Sequence, residues 1–284
     1  MSIVLYAFAI AFLILFPQDT ADTAFQAMHL WGTSIVPILF PYMVLSRMLC
    51  QRLRDIRFPA AVTASFLSIL GGSPSGAAMI AANRSTLSIT SLSALCAFCG
   101  TISPMFILGP IQAWVDLPSI GRRLLLCHWL SAILCSWIVW LICRKNKKSA
   151  LHCEPETNGT PSSPLKQSID AVLQIGGCVI LYSVLAGIAG KVLHPFPALA
   201  PLVHAALEIS GGIHAICQSA FAPETKCILI AAALGFSGFS VLSQNHAFLL
   251  PLGISMRKLI LYALLRAALS AVLMGLYTML LPVS

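Results

Sequence analysis

Six small or helix-breaking residues, Gly71-Gly72-Ser73-Pro74-Ser75-Gly76, interrupt an otherwise continuous apolar stretch, and this break constrains the chain more than any other feature. Phe58–Leu70 precedes it and Ala77–Ala82 follows it, without the flanking charge that a loop in water carries. The break therefore belongs at membrane depth, where backbone leaves the helix only if protein or a water-filled cavity satisfies its N–H and C=O groups. Two readings are open at this point. The break is a binding site, or it is a close helix crossing, since Gly72-x-x-x-Gly76 also fits the small-xxx-small packing pattern.

Composition places the break in its setting. The chain is 58% hydrophobic and 9% charged, with a mean hydropathy of +0.89, whereas soluble domains are about 25% charged. This is the composition of a polytopic membrane protein. The net charge of +8 does not point to nucleic acid, because the basic residues fall between apolar spans, where they act as topology signals. Most of the 10 cysteines, among them Cys50, Cys127, Cys135 and Cys178, sit in apolar runs and behave as small hydrophobes. Cys96-x-x-Cys99 has metal or redox spacing but no second pair and no histidine at ligand spacing, so packing is the expected role and no cofactor or metal is expected.

Taken in order, Ser2–Phe16 is an apolar segment without a small-residue cleavage pattern, read as a retained first helix. Leu30–Leu49 is a second span, expected to kink at Pro37 and Pro41 because proline removes an intrahelical hydrogen bond. It ends in Arg47, Arg52, Arg54 and Arg57, a cytoplasmic signature. Phe58–Leu70 is too short to cross about 30 Å of hydrocarbon. A re-entrant hairpin turning at Gly71–Gly76 follows as the simplest geometry. Ser88–Phe98 begins a crossing that breaks at Gly100-Thr101-Ile102-Ser103-Pro104 and resumes through Met105–Trp114, and Leu124–Cys143 is a clean span ending in Arg144-Lys145-Asn146-Lys147-Lys148. Ser149–Lys166, rich in Pro, Ser, Thr and Gly, reads as a flexible cytoplasmic linker.

The same order then recurs. A span at Ile169–Ala189 leads to a short apolar piece, Leu199–Leu207, a break at Glu208-Ile209-Ser210-Gly211-Gly212, and a return through Ile213–Phe221. Cys227–Leu234 breaks at Gly235-Phe236-Ser237-Gly238-Phe239-Ser240, continues through Val241–Pro251, and gives way to a last span, Leu259–Leu281. Each half reads span, hairpin, broken helix, span, and the single crossing between them turns the second copy upside down. Twelve of the 17 Lys and Arg fall on the proposed inner side; Arg122, Arg123, Lys191 and Lys226 fall on the outer side, and Arg266 lies within a span. The expected fold is thus an all-α polytopic membrane protein of two inverted-topology repeats, each with a re-entrant hairpin and a discontinuous helix, plus an N-terminal transmembrane helix. The expected segments are 1–28 for that helix and an outer loop, 29–143 and 169–284 for the repeats, and 144–168 for the linker. Inverted repeats with interrupted helices point to a secondary transporter with its substrate near the midplane.

The breaks also define the candidate site. Half-helices that begin inside the membrane aim N–H groups and a positive dipole end at the cavity, favouring carboxylate. The expected donors are backbone near Ser75-Gly76 and Gly211-Gly212, with the hydroxyls of Ser73, Ser75, Thr101 and Ser103 in the first half and of Ser210, Ser237 and Ser240 in the second. Gln244 lies four residues after Ser240 on the same helix face, and its amide both donates and accepts. Any one of these serines is more often bonded to its own helix than to a ligand; only their convergence on four breaks argues for a site. Glu208 is the one acidic residue at a break, and an intramembrane carboxylate is a functional candidate by default. It either carries a proton for coupling or caps the hairpin through backbone amides, and both readings stay open. His204 and His214 flank it as packing residues, and Asn245 and His246 lie toward the inner mouth. No paired-carboxylate, nucleophile–base or Walker-type motif is present in the sequence, so an enzyme or ATP-driven pump is not expected.

Three of these stretches carry a resemblance. Gly72-Ser73-Pro74-Ser75-Gly76-Ala77, Ser103-Pro104-Met105-Phe106-Ile107-Leu108-Gly109 and Gly235-Phe236-Ser237-Gly238-Phe239-Ser240-Val241-x-x-Gln244, in this order, resemble the YlbJ-type sporulation integral membrane proteins, which carry the nucleoside-recognition (Gate) domain. The similarity runs from about Trp31 to Leu273. Ser73 stands where the family usually has Tyr, and Gly100–Pro104 lacks the family's two asparagines. The resemblance implies a bacterial cytoplasmic-membrane protein of a spore-former that moves a small organic anion, dipicolinate being the family's best-known cargo, in the membrane around the forespore. Its expected partners are that anion, the lipid bilayer, a coupling proton, and a second copy or other sporulation membrane proteins. Movement of a nucleoside or ion, or a non-transporting structural or signalling role in sporulation, are the alternatives.

Overall fold

A computed structural model describes residues 2–55, 59–84, 87–117, 119–145 and 163–281. Most of the expected linker, 144–168, lies outside the described residues. All regular structure is helical, with no strand among the described residues, and five helices are long and apolar enough to cross a membrane. The chain is an integral membrane protein. Many of its exposed large apolar side chains, such as Trp137, Leu181, Leu261 and Met279, lie on these helices, as expected of surfaces that face lipid rather than water.

The first helix, α1 (Ser2–Leu15), has 14 residues, fewer than the roughly 20 that a perpendicular crossing requires. The outer loop expected before residue 28 is instead helical. Pro17 and Asp19 start α2 (Pro17–Leu30), as suits a proline in the first turn and an acid near the N-terminal dipole. A wide π turn at Trp31–Ile35 joins it to α3 (Val36–Asp55). This turn lies where Pro37 cannot donate to the carbonyl four residues back, so the helix widens before the proline. Pro41 sits inside α3 without ending it. The same device recurs at Pro110, where the turn Ile107–Ile111 joins α7 (Pro104–Phe106) to α8 (Gln112–Val115).

The first hairpin is α4 (Ala60–Gly71) and α5 (Ser75–Ala82), followed by α6 (Ile89–Phe98). The long helices α9 (Ile120–Lys145) and α10 (Pro164–Val192) come next. The second hairpin, α11 (Ala200–Leu207) and α12 (Ile209–Gln218), turns on Glu208 alone, so Ser210, Gly211 and Gly212 form the first turn of α12 rather than a loop. The second broken helix is also tighter than its sequence suggests. Its halves, α13 (Pro223–Phe236) and α14 (Gly238–Leu249), are separated only by Ser237 in the left-handed region. Helix α15 (Met256–Leu280) closes the fold.

Contacts fix which ends lie together. Lys191 pairs with Asp19, joining the end of α10 to the start of α2, and Arg123 Nη1 donates to Leu281 O at 3.3 Å, joining the start of α9 to the end of α15. Toward the other end, Arg47 of α3 meets Gln167 of α10. Between them is a core of Ile107, Ile111, Ile120, Leu124, Ile213, Ile216, Ile230 and Leu234.

Candidate functional site

All four interruptions meet around one small cavity. Gly71 and Ser73 come from the first hairpin, Ile102 and Ser103 from the first broken helix, Glu208, Ile209 and Ser210 from the second hairpin, and Ser240, Val241 and Gln244 from the second broken helix. Ile35 of the π turn and Leu39 of α3, Phe106 of α7, and Ile175 and Val179 of α10 complete its wall. The cavity measures about 50 Å³, room for water but well below the ~300 Å³ at which sites for small organic ligands begin.

Non-helical backbone at this depth must find its partners within the protein, and the breaks supply them to one another. Ser73 N donates to Thr101 O at 2.9 Å, and Thr101 Oγ1 donates to Ser68 O at 2.7 Å, tying the first hairpin to the first broken helix. Ser237 Oγ donates to Gly100 O at 2.7 Å, tying the two broken helices together. Ile102 N donates to His128 Nε2 at 2.9 Å. Glycine is required where these segments touch. Gly72 has φ +63, and a Cβ there would lie 2.6 Å from Ser103 N; at Gly212 it would lie 2.1 Å from Ala205 Cα.

Six of the twelve expected site residues line the cavity: Ser73, Ser103, Glu208, Ser210, Ser240 and Gln244. Ser240 Oγ is buried without a partner, the arrangement expected of a group that meets a ligand or water. Ser73 Oγ donates to Asn245 Oδ1 at 2.6 Å, while Ser103 Oγ accepts from Phe106 N at 3.3 Å as a helix cap. The other six are placed elsewhere. Thr101 and Ser237 are used in the ties above. Gly76 packs on Ser68 and Gly212 on Ala205, the close-crossing alternative, and Gly211 faces a separate wide cavity bordered by His204 and His214. Ser75 Oγ accepts from Arg47 Nη2 at 3.0 Å beneath the cavity. Among the described residues no group of three His, Cys, Asp or Glu is arranged to hold a metal.

Glu208 is fully buried. Its carboxylate accepts from Ser210 N at 2.9 Å and Gly211 N at 2.6 Å. It therefore caps α12, and the Gly211 amide, expected to greet a substrate anion, is already taken by the Glu208 carboxylate.

Two arginines matter more than their sequence positions suggest. Arg266 of α15 is 1% exposed; its Nη1 donates to Ala97 O at 2.7 Å and its Nε to Gly235 O at 3.1 Å. Those carbonyls end α6 and α13. Each helix C-terminus carries about half a negative charge, so the two together balance one guanidinium without any carboxylate. The signal was present in the sequence, because an ionisable residue inside an apolar run is a functional candidate by default. Arg47, by contrast, reads as one more topology charge until Ser75 is found beside it.

The chain is 23% identical to the "Sporulation integral membrane protein YlbJ" of Bacillus subtilis (strain 168), over 94% of this chain and 79% of that protein. The expected resemblance to a YlbJ-type protein is thereby borne out as a likeness over most of the chain; no match to a Gate domain accompanies it. No family model matches the chain, and no solved structure matches it.

Proposed function

We propose, for a chain that resembles the YlbJ-type sporulation integral membrane proteins along nearly its whole length, that it is a secondary-type transporter of a small organic anion, with dipicolinate as the first candidate. The observation that carries this reading is the convergence of all four helix breaks on one cavity, where Ser240 offers an unspent hydroxyl and Gln244 an amide. The two halves, each a hairpin followed by a broken helix, act as inverted repeats that part around this point in turn. A cavity of about 50 Å³ is the closed state of such a cycle. The ligand enters when a hairpin withdraws, because the tips of both hairpins form part of the cavity wall. The sequence carries no Walker-type motif, so movement is downhill, coupled to an ion or assisted by a partner, with Glu208 as the carrier of a coupling proton once its turn has opened.

A second reading has an observation in its favour. Thr101, Ser237, Gly76 and Gly212 are all used in packing, as they would be in a structural or signalling component that moves nothing. Uptake of labelled dipicolinate by proteoliposomes separates the two. The transport reading requires uptake that depends on the protein and is competed by dipicolinate but not by a nucleoside; its absence in correctly inserted protein favours the packing reading.

A further inference from the structure

Next to Gly71 in the cavity wall, a guanidinium has only neutral hydrogen-bond partners among the described residues. Gly71 lines the cavity, and Ser75 lies against it, with its Cβ 3.1 Å from where a Gly71 Cβ would be. Arg47 comes next: Nη2 donates to Ser75 Oγ at 3.0 Å and Nη1 to Gln167 Oε1 at 3.1 Å, while Nε is buried without a partner. Asp170, on the exposed side of α10, is close enough to act on the charge through space, yet it makes no hydrogen bond to Arg47. A guanidinium presents five N–H donors in a rigid fork that matches a carboxylate, and its strongest bonds are to ionised oxygens. Held by a hydroxyl and an amide, it keeps its structural ties while its main capacity goes unused. Arg266 also leaves one nitrogen, Nη2, without a partner, but its charge is met by two helix C-termini.

We infer that Arg47 is the residue by which the protein selects an anion: a ligand carboxylate leaving or entering the cavity past Ser75 takes the place of Ser75 Oγ and Gln167 Oε1 on the guanidinium fork. The inference rests on the transport reading above and names the group that gives it charge selectivity. The same exchange unties α3 from α5 and α10, since one guanidinium bridges all three. Anion arrival and the opening of this end are thus one event.

Equilibrium dialysis of labelled dipicolinate against the purified full-length chain tests this, with thermal unfolding of each variant alongside. Arg47→Gln is expected to weaken binding tenfold or more, and Arg47→Lys, which keeps the charge but not the fork, to fall between it and wild type. Gln167→Ala removes a group that the carboxylate must displace and leaves the cation, so it is expected to bind at least as tightly as wild type. If Arg47 were only a structural tie, Gln167→Ala and Arg47→Gln would weaken binding alike, and that result would overturn the inference. Undiminished binding in the Arg47→Gln variant would overturn it alone. A wild-type chain that binds no dipicolinate would remove the anion-transport reading and this inference with it.

Discussion

Replacing Gly212 by alanine tests the closest approach of a glycine to neighbouring backbone among the described residues. The new Cβ would sit 2.1 Å from Ala205 Cα and 2.2 Å from Ala205 N, against roughly 3.5–4.0 Å for carbon atoms in normal contact. The obstruction is backbone, so no rotamer change relieves it, and the arms α11 and α12 must separate by about 1.5 Å to restore that spacing. Overpacking of this kind costs ~1–3 kcal/mol and occasionally more, offset by about 1 kcal/mol from alanine's better helix propensity. A clash with backbone belongs at the upper end, so the net loss expected is about 2 kcal/mol. Gly177 is the matched control: it also lies inside a helix, but nothing stands within 4 Å of its would-be Cβ. Alanine there should be neutral or stabilise by up to about 1 kcal/mol. Thermal unfolding in detergent can be followed with a thiol-reactive fluorophore, because Cys99, Cys127, Cys135 and Cys227 are buried until the fold opens. The expected result is a melting temperature several degrees lower for Gly212→Ala and unchanged or higher for Gly177→Ala. Equal melting of Gly212→Ala and wild type would refute the hairpin geometry.

Arg266→Leu leaves the carbonyls of Ala97 and Gly235 without their donor and should cost ~2–4 kcal/mol in the same unfolding assay; Arg266→Lys should recover only part, because an ammonium lacks the fork that spans both helix ends. Ser240→Ala should leave stability unchanged, since the hydroxyl has no partner in the protein, and weaken dipicolinate binding about two- to tenfold, the worth of one hydrogen bond. Glu208→Gln removes one of the two oxygens that accept amides from Ser210 and Gly211 and should lower stability by ~1–3 kcal/mol. If Glu208 carries the coupling proton, as proposed, flux through this variant persists but no longer responds to an imposed pH gradient; an unchanged response would leave Glu208 a cap only. Single cysteines at positions 166 and 224, both exposed, should react with impermeant reagent from opposite faces of the membrane; labelling from one face would end the inverted arrangement.

Helix breaks were legible because their chemistry is local. Glycine, proline and serine within an apolar run announce a departure from the helix wherever the chain later goes, and Gly72 and Ser237 are found in left-handed backbone where those runs occur. How wide each break is was not legible. Glu208 closes its own turn through its side chain, so the helix resumes at once and the glycines after it serve packing instead. Nor does sequence separate a hydroxyl that faces the cavity, as Ser240 does, from one consumed by another break, as Ser237 is, because the difference depends on a partner 137 residues away. The apolar walls were missed for the same reason. Ile35, Leu39, Ile175 and Val179 look like any span residues until the two long helices are packed against the hairpin tips.

The most direct test of the account is flux. Wild-type protein, Ser240→Ala and Gly177→Ala should be reconstituted in matched orientation, and uptake of labelled dipicolinate measured against an excess of unlabelled dipicolinate or of a nucleoside. Uptake is expected in wild type and in Gly177→Ala, with competition by dipicolinate alone and a raised KM in Ser240→Ala with its stability intact. Uptake that is absent from well-folded wild type, or that a nucleoside blocks and dipicolinate does not, would contradict the transport reading.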